Sequence, residues 1–337
     1  MIVVYDEFVT RHLAGVEHPE SPDRVAGVAA HLVDERLFGE RMGARDATDD
    51  ELTLVHPAAY LARVARDVES LGPSAGYLST GDTVIDGTSL AVARRAAGGA
   101  VVAMEAAVAG DTAAFALIRP PGHHAEPARG MGFCIFSNAA VAAHVFVRQT
   151  GGRALIVDFD YHHGNGTQAA ASGGVSFVST HGYPAYPMTG GPDEQSIAER
   201  WAVVNVPLPP HRYGTEPFVA TWQRALPEIA RRVRPDLIVV SAGYDFATGD
   251  PVGDLGADGP QSAYALSSLI REVAAEHCRG RVAYCLEGGY DVDTLARSVA
   301  ATLRAHDAPA ASAERADPAA IGASQRALLE RVEQWQT

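Results

Sequence analysis

Lysine does not occur in this chain: all 27 basic residues are arginine. Biased codon usage is a sufficient cause, but the chemical consequence stands. No side-chain primary amine is available for acylation, and a guanidinium does not replace one. Cysteine is scarce as well. Cys134, Cys278 and Cys285 are too few, and odd in number, for a disulfide framework. Cys278 and Cys285 flank or enter an apolar strand, which predicts buried thiols. No apolar run reaches the roughly 18 residues of a membrane span. Positive charge is thin too: 27 basic residues face 41 acidic ones, a net charge of −14, with no basic stripe to follow a phosphate backbone. Nucleic-acid binding is therefore not expected. The start, Met1-Ile2-Val3-Val4-Tyr5-Asp6, lacks the basic residues and long apolar stretch of a signal peptide and reads as a first strand. A cytoplasmic protein is the expectation.

Hydrophobic residues make up 47% of the 337 and charged residues 20%, which excludes disordered, collagenous and coiled-coil chains and leaves ample core for an α/β domain. Apolar β-branched runs at Ile2–Tyr5, Ala154–Phe159, Val175–Thr180, Ala202–Leu208, Leu237–Ser241 and Arg281–Leu286 predict strands. Helical periods fill Arg24–Arg36, Ala58–Glu69, Ser89–Ala109, Asn138–Arg148, Pro217–Val233, Gln261–Cys278 and Thr294–Ala305. Strands that are apolar throughout are covered on both faces. With helices between them they predict a mostly parallel central sheet flanked by helices on both sides. No repeat and no linker divides the chain. One domain is expected, its core ending near residue 305. An Ala-rich connection, Ala308–Ala320, would lead to a last amphipathic helix, Gln325–Trp335.

The strongest chemical signal is Asp158-Phe159-Asp160-Tyr161-His162-His163-Gly164-Asn165-Gly166, directly behind the apolar strand Ala154–Val157. Alternation on an extended segment places Asp158, Asp160 and His162 on one face at the strand's carboxyl end. Crowded carboxylates repel, and a metal resolves the conflict. One imidazole with carboxylate oxygens suits zinc in an open catalytic site, or iron through the same ligands. A further ligand should come from another strand end, and Leu237–Ser241 followed by Ala242-Gly243-Tyr244-Asp245 offers Asp245. Arg119-Pro120-Pro121-Gly122-His123-His124 presents two adjacent histidines in a rigid turn, as a proton-transfer pair needs. Glu287-Gly288-Gly289-Tyr290 closes the last strand with a turn that can present a phenol to an oxyanion.

With these blocks in this order the chain resembles the histone deacetylase superfamily, in particular the bacterial class II-like histone deacetylase-like amidohydrolases, relatives of the acetylpolyamine amidohydrolases. The resemblance rests on His18–Arg24, Arg119–Ala125, Gly132-Phe133-Cys134, Asp158–Gly166, Ser241–Asp250 and Glu287–Tyr290. It runs from Met1 to about Ala305 and implies an arginase-like α/β fold. It implies zinc on Asp160, His162 and Asp245, with His124 as general base and acid and His123 as its electrostatic partner. Tyr290 would polarise the substrate carbonyl. Phe133 and Tyr186 would wall a narrow channel, and the Gly132 carbonyl would accept the scissile amide's N–H. Asp158 would orient His123 and, with Ser179 and Thr180, help form a structural potassium site. Asn165 would sit behind His124, and Arg24 near the floor of the acetate pocket.

Four departures fall around the pocket. Tyr186 stands where Phe is usual, and Val252 where most relatives carry Leu and polyamine-selective ones Glu. Thr189–Ala202 lacks a glycine-rich run and offers Asp193, Glu194 and Glu199 instead. Asp254–Gly259 is slightly longer. The expected function is zinc-dependent hydrolysis of an acylated amine, nominally N-acetyl-lysine. An acetylpolyamine amidohydrolase competes, although Val252 gives a second cationic amine no carboxylate and Gly72–Gly87 is too short for a dimerising loop. A catalytically inactive binding module on the same fold would have lost a metal ligand or the Tyr, and neither is lost. A binuclear arginase-type hydrolase needs more Asp ligands than these motifs supply. Asp82, in the loop before the Ser89 helix, is expected to accept backbone N–H groups of a substrate. The oligomeric state is left open.

Overall fold

The computed structural model describes residues 1–39, 41–308 and 315–334. The chain runs β1 (Ile2–Val4), α1 (Pro22–Asp34), β2 (Arg41–Met42), α2 (Asp49–Leu52), α3 (Ala58–Leu71), β3 (Gly76–Tyr77), β4 (Val84–Ile85) and α4 (Ser89–Gly110). It continues through β5 (Ala113–Ala116), α5 (Asn138–Thr150), β6 (Ala154–Asp158), α6 (Asn165–Ala170), β7 (Val175–Gly182), β8 (Ser196–Ile197) and β9 (Ala202–Leu208). It closes with α7 (Thr215–Val233), β10 (Leu237–Ala242), α8 (Gly259–His277), β11 (Val282–Leu286), α9 (Val292–Asp307) and α10 (Ala323–Glu333). Nine of these strands form one sheet in the order β2-β1-β5-β11-β10-β6-β7-β9-β8. Neighbours are parallel except β8 against β9.

The unbroken apolar strands have the predicted cause. On β6, Leu155 and Val157 pack into one core with Phe115, Val240 and side chains of α1, α7, α8 and α9. Ala154 and Ile156, on the opposite face, join a second core with α3, α4 and α5. A slip of one residue would swap the two sets between differently shaped cores, so the register is fixed.

One central strand escapes the sequence reading. β5, Ala-Ala-Phe-Ala, carries no β-branched residue, yet it lies between β1 and β11 with every position buried. Burial against both neighbours overrides its weak propensity. The very short β2, β3, β4 and β8 were also outside the predicted strands. At the end of the chain, Leu328, Leu329 and Val332 of α10 are buried, and Gln325 donates to the Pro207 carbonyl at 2.7 Å. Of the Ala-rich connection, 309–314 lie outside the described residues, as does Trp335; Pro318–Ala320 forms a short 3-10 turn. The three cysteines are buried free thiols. Among the described residues no helix is long and apolar enough to cross a membrane.

Candidate active site

The parallel register levels the strand ends. Asp158 on β6 stands beside Ser241 on β10 and Ser179 on β7, and Ala242 stands beside Leu286 on β11. The loops that leave these ends, together with 117–137 after β5, converge on one cavity. This is where doubly wound sheets place their ligands.

Asp160, His162 and Asp245 are brought together as expected, with one ligand atom from each lying within 4.8 Å of the others. His162 Nδ1 is 3.2 Å from Asp160 Oδ1 and 2.9 Å from Asp245 Oδ2. The remaining oxygens are anchored by backbone: Asp160 Oδ2 accepts from Gly288 N–H at 2.8 Å, and Asp245 Oδ1 from Tyr161 N–H at 2.9 Å. Asp245 Oδ2 is buried with no hydrogen bond of good geometry, an orphaned oxygen that points into the cluster. Only glycine fits alongside. A Cβ at Gly243 would lie 1.7 Å from Asp160 Oδ2, and one at Gly288 2.5 Å from Asp245 Oδ2.

The electrostatics call for positive charge. Burial and the adjacent Asp160 push Asp245 up to about 7. Burial opposes ionisation of Asp160 too, but His123 and His162 hold it far below the ordinary carboxylate range. Burial would discharge His162, yet Asp245 and Asp160 together raise it to about 10. Within the chain a proton on His162 partly balances two buried carboxylates. A divalent cation would do so more fully, and this donor set fits one.

Asp158 does not share that centre. The chain leaves the extended conformation at β6's end, so the alternation that groups Asp158 with Asp160 and His162 stops there. Asp158 Oδ2 instead accepts from His123 Nδ1–H at 3.1 Å, and Oδ1 from Asp160 N–H at 3.2 Å. In the same region Ser179 Oγ bonds His181 Nδ1 at 2.9 Å, and Thr180 Oγ1 is buried without a partner.

The tandem histidines differ. His124 Nδ1 donates to Asn165 Oδ1 at 2.8 Å, and Asn165 Nδ2 donates to Glu126 at 2.8 Å, which fixes the amide's orientation. That leaves His124 Nε2 with its lone pair free. Burial, then His123 and His162, keep His124 well below its ordinary value, hence neutral. His123 does not line the cavity, and although burial works against it, Asp160 and Asp158 raise it to about 10.

Above the cluster lies a cavity of about 300 Å³ lined by Asp82, His124, Gly132, Phe133, His162, Tyr186, Val252 and Tyr290. Phe133 meets Tyr290 edge-on at 5.8 Å, and Tyr186 meets His124 at 5.2 Å. Arg24 lies behind this lining, its guanidinium 4.7 Å from the Tyr290 ring centroid. It donates to the Gly289 and Glu287 carbonyls and to Glu20. Asp82 is part of the same lining. It sits in the turn between β3 and β4, and its oxygens already accept from Gly132 N–H at 2.8 Å and the Tyr186 hydroxyl at 2.9 Å.

Two supporting carboxylates were not singled out from sequence. Glu287 Oε2 accepts from Gly122 N–H at 2.6 Å and His123 N–H at 3.1 Å, and so seats the His-His turn. Asp250 accepts from Val252 and Gly253 N–H through one oxygen and from Tyr290 and Asp291 N–H through the other. For Glu287 a signal was present: a charged residue at the very end of an all-apolar strand, where burial without a partner would be costly.

Comparison with known proteins agrees with this geometry. The family model described as histone deacetylase domain matches residues 18–306. The rice protein "Histone deacetylase 10, chloroplastic" is 35% identical over 326 residues, which are 90% of this chain and 73% of that protein. "Histone deacetylase-like amidohydrolase" of Pseudomonas aeruginosa is 35% identical over 292 residues, 82% of this chain and 73% of that one. The crystal structure of the HDA15 HD domain superposes with a TM-score of 0.84 at 31% identity, covering 98% of this chain and 92% of that one. A parallel sheet whose strand ends hold an Asp-His-Asp cluster beneath a His-His pair and a tyrosine thus has a family: the chain belongs to the histone deacetylases, with the deacetylase or amidohydrolase activity they are named for.

Proposed function

We propose that the chain is a zinc-dependent deacylase that hydrolyses the amide of an acylated amine, nominally N-acetyl-lysine, to a carboxylate and a free amine. The observation that carries this reading is the buried Asp160–His162–Asp245 cluster in contact with a cavity that His124 and Tyr290 also line. A zinc ion on those three residues would act as Lewis acid and lower the pKa of water, with iron able to replace it. The neutral His124 takes a proton from the attacking water through Nε2 and returns one to the leaving amine. Tyr290 keeps its proton and donates a hydrogen bond to the developing oxyanion. Phe133 and Tyr186 admit a linear alkyl stem between aromatic faces. A structural potassium near Asp158 is part of the proposal; the unpartnered Thr180 hydroxyl and the Asp158–Ser179 register support it.

Substrate choice follows from Val252. It carries no charge, so a second ammonium deep in the channel would be desolvated without a partner, at about 1–3 kcal/mol or more. An N-acetyl-lysine compound keeps its remaining polar groups outside. Measured kcat/KM values should therefore favour N-acetyl-lysine compounds over acetylputrescine and acetylspermidine, and Val252→Glu should narrow or reverse the preference. A tenfold wild-type preference for an acetylpolyamine, roughly 1.4 kcal/mol in transition-state binding, would show that other rim carboxylates decide selectivity.

A further inference from the structure

One carboxylate gathers three distant segments at the mouth of the cavity. Asp82 Oδ1 accepts from Gly132 N–H at 2.8 Å, and its Oδ2 accepts from the Tyr186 hydroxyl at 2.9 Å. Gly132 leads into the Phe133 wall, and both residues have positive φ, +55° and +67°. Phe133 is strained in that conformation, and the bond to Asp82 fixes the amide just before it. Tyr186 belongs to the facing wall, is 38% exposed, and stands edge-on to His124. A single acid thus clasps the two walls together.

The clasp changes what the mouth can offer a substrate. Asp82 is the one carboxylate among the residues that line the cavity. An alkyl amide whose chain ends at the mouth needs no acceptor there. A peptide brings backbone N–H groups against the rim, and each loses water and needs a partner. Each Asp82 oxygen already accepts one hydrogen bond from within the chain, so half of its acceptor capacity is spent before a peptide arrives. A phenylalanine at this position would build the same wall without the bond, so the hydroxyl is the element that matters.

We infer that the Tyr186 hydroxyl is a specificity-determining group: by clasping Asp82 across the channel mouth, it biases the site toward small acylated amines that end at the mouth and against peptides. The inference rests on the deacylase reading above. N-acetylpentylamine and a peptide containing N-acetyl-lysine share the acyl group, the amide and the stem, and differ in the backbone at the rim. Their kcat/KM ratio therefore isolates the rim.

Tyr186→Phe should raise the peptide-to-pentylamide ratio about fivefold or more, with the change carried in KM. In an Asp82→Ala background the same substitution should leave the ratio where it is, because the two groups act through one bond. An unchanged ratio in Tyr186→Phe, or an equal shift in the Asp82→Ala background, would overturn the clasp. Hydrolysis of neither amide would count against the deacylase reading alone. The affinity ratio of the two uncleaved amides, read by calorimetry with and without the Tyr186 hydroxyl, would then decide the clasp by the same criterion.

Discussion

A phenol next to two buried carboxylates keeps its proton. Burial raises Tyr290 well above the ordinary range; Arg24 behind the ring opposes the rise, while Asp245 and Asp160 add to it. A protonated phenol facing a cavity is a donor, and the same cavity exposes His124, whose free Nε2 is an acceptor. Donor and acceptor are what amide hydrolysis needs on opposite sides of a carbonyl. Tyr290→Phe removes the donor without touching a cluster residue. Its kcat on an N-acetyl-lysine substrate should fall by about two to three orders of magnitude while metal content stays at the wild-type level. A near-wild-type rate would remove Tyr290 from the chemistry.

The elements explain why these residues meet. β6, β10 and β11 end level, and each hands a loop to the site: 159–164, 243–258 and 287–291. Asp250 couples two of the loops by joining the amides of 252–253 to those of 290–291. It does not line the cavity itself but holds the amides of two residues that do, Val252 and Tyr290, and its part in the chemistry runs through the position of Tyr290. Asp250→Ala should lower kcat at least tenfold, with a smaller change in KM and the metal retained. An equal loss in Asp250→Ala and in a Tyr290→Phe/Asp250→Ala double variant, each relative to its parent, would show that Asp250 acts elsewhere.

Legibility also divides by element. The loops after β6 and β10 could be read because clustered Asp and His stand directly behind one β-branched run and Asp245 behind the other, where a second strand end was expected to add a ligand. β5 could not, since Ala-Ala-Phe-Ala has no strand signature and is made a strand by its neighbours. The distant partners of Asp82 and Asp250 were hidden for a related reason: Asp82 bonds the Gly132 amide and the Tyr186 hydroxyl, Asp250 the amides of Tyr290 and Asp291, and no local pattern encodes these pairs. The grouping of Asp158 with Asp160 failed where the strand stopped, because period-two alternation holds only while the chain is extended.

At the scale of the whole molecule, the site depends on a fold that buries many polar groups, and this makes it sensitive to acid. His56 is buried as a neutral ring: Nδ1–H donates to the Pro127 carbonyl at 3.1 Å, and Nε2 accepts from Ser137 N–H at 2.9 Å. Burial lowers it from 6.5 to about 4. Below pH 6.5 the unfolded chain takes up a proton that the folded chain refuses. Its contribution is complete above pH 6.5 and is lost as the pH falls toward 4, up to about 3 kcal/mol. Glu20 acts in the same direction at lower pH. Burial opposes its ionisation, but Arg119 and Arg24 hold it at about 2, so its contribution fades between the ordinary carboxylate range and that value. Urea midpoints should drop between pH 7 and pH 4.5, and His56→Gln should flatten that drop. A slope identical to wild type would mean that His56 is not neutral in the fold.

We propose that one divalent ion held by Asp160, His162 and Asp245 makes this chain a deacylase. The most direct measurement strips the protein of metal with a chelator, adds zinc back in measured equivalents, and follows hydrolysis of an N-acetyl-lysine substrate in wild type and in Asp245→Ala. The stripped protein should show no turnover, activity should rise and saturate at about one zinc per chain, and the variant should hold no high-affinity zinc. Full turnover without metal, or saturation at one zinc per chain in Asp245→Ala, would contradict the proposal.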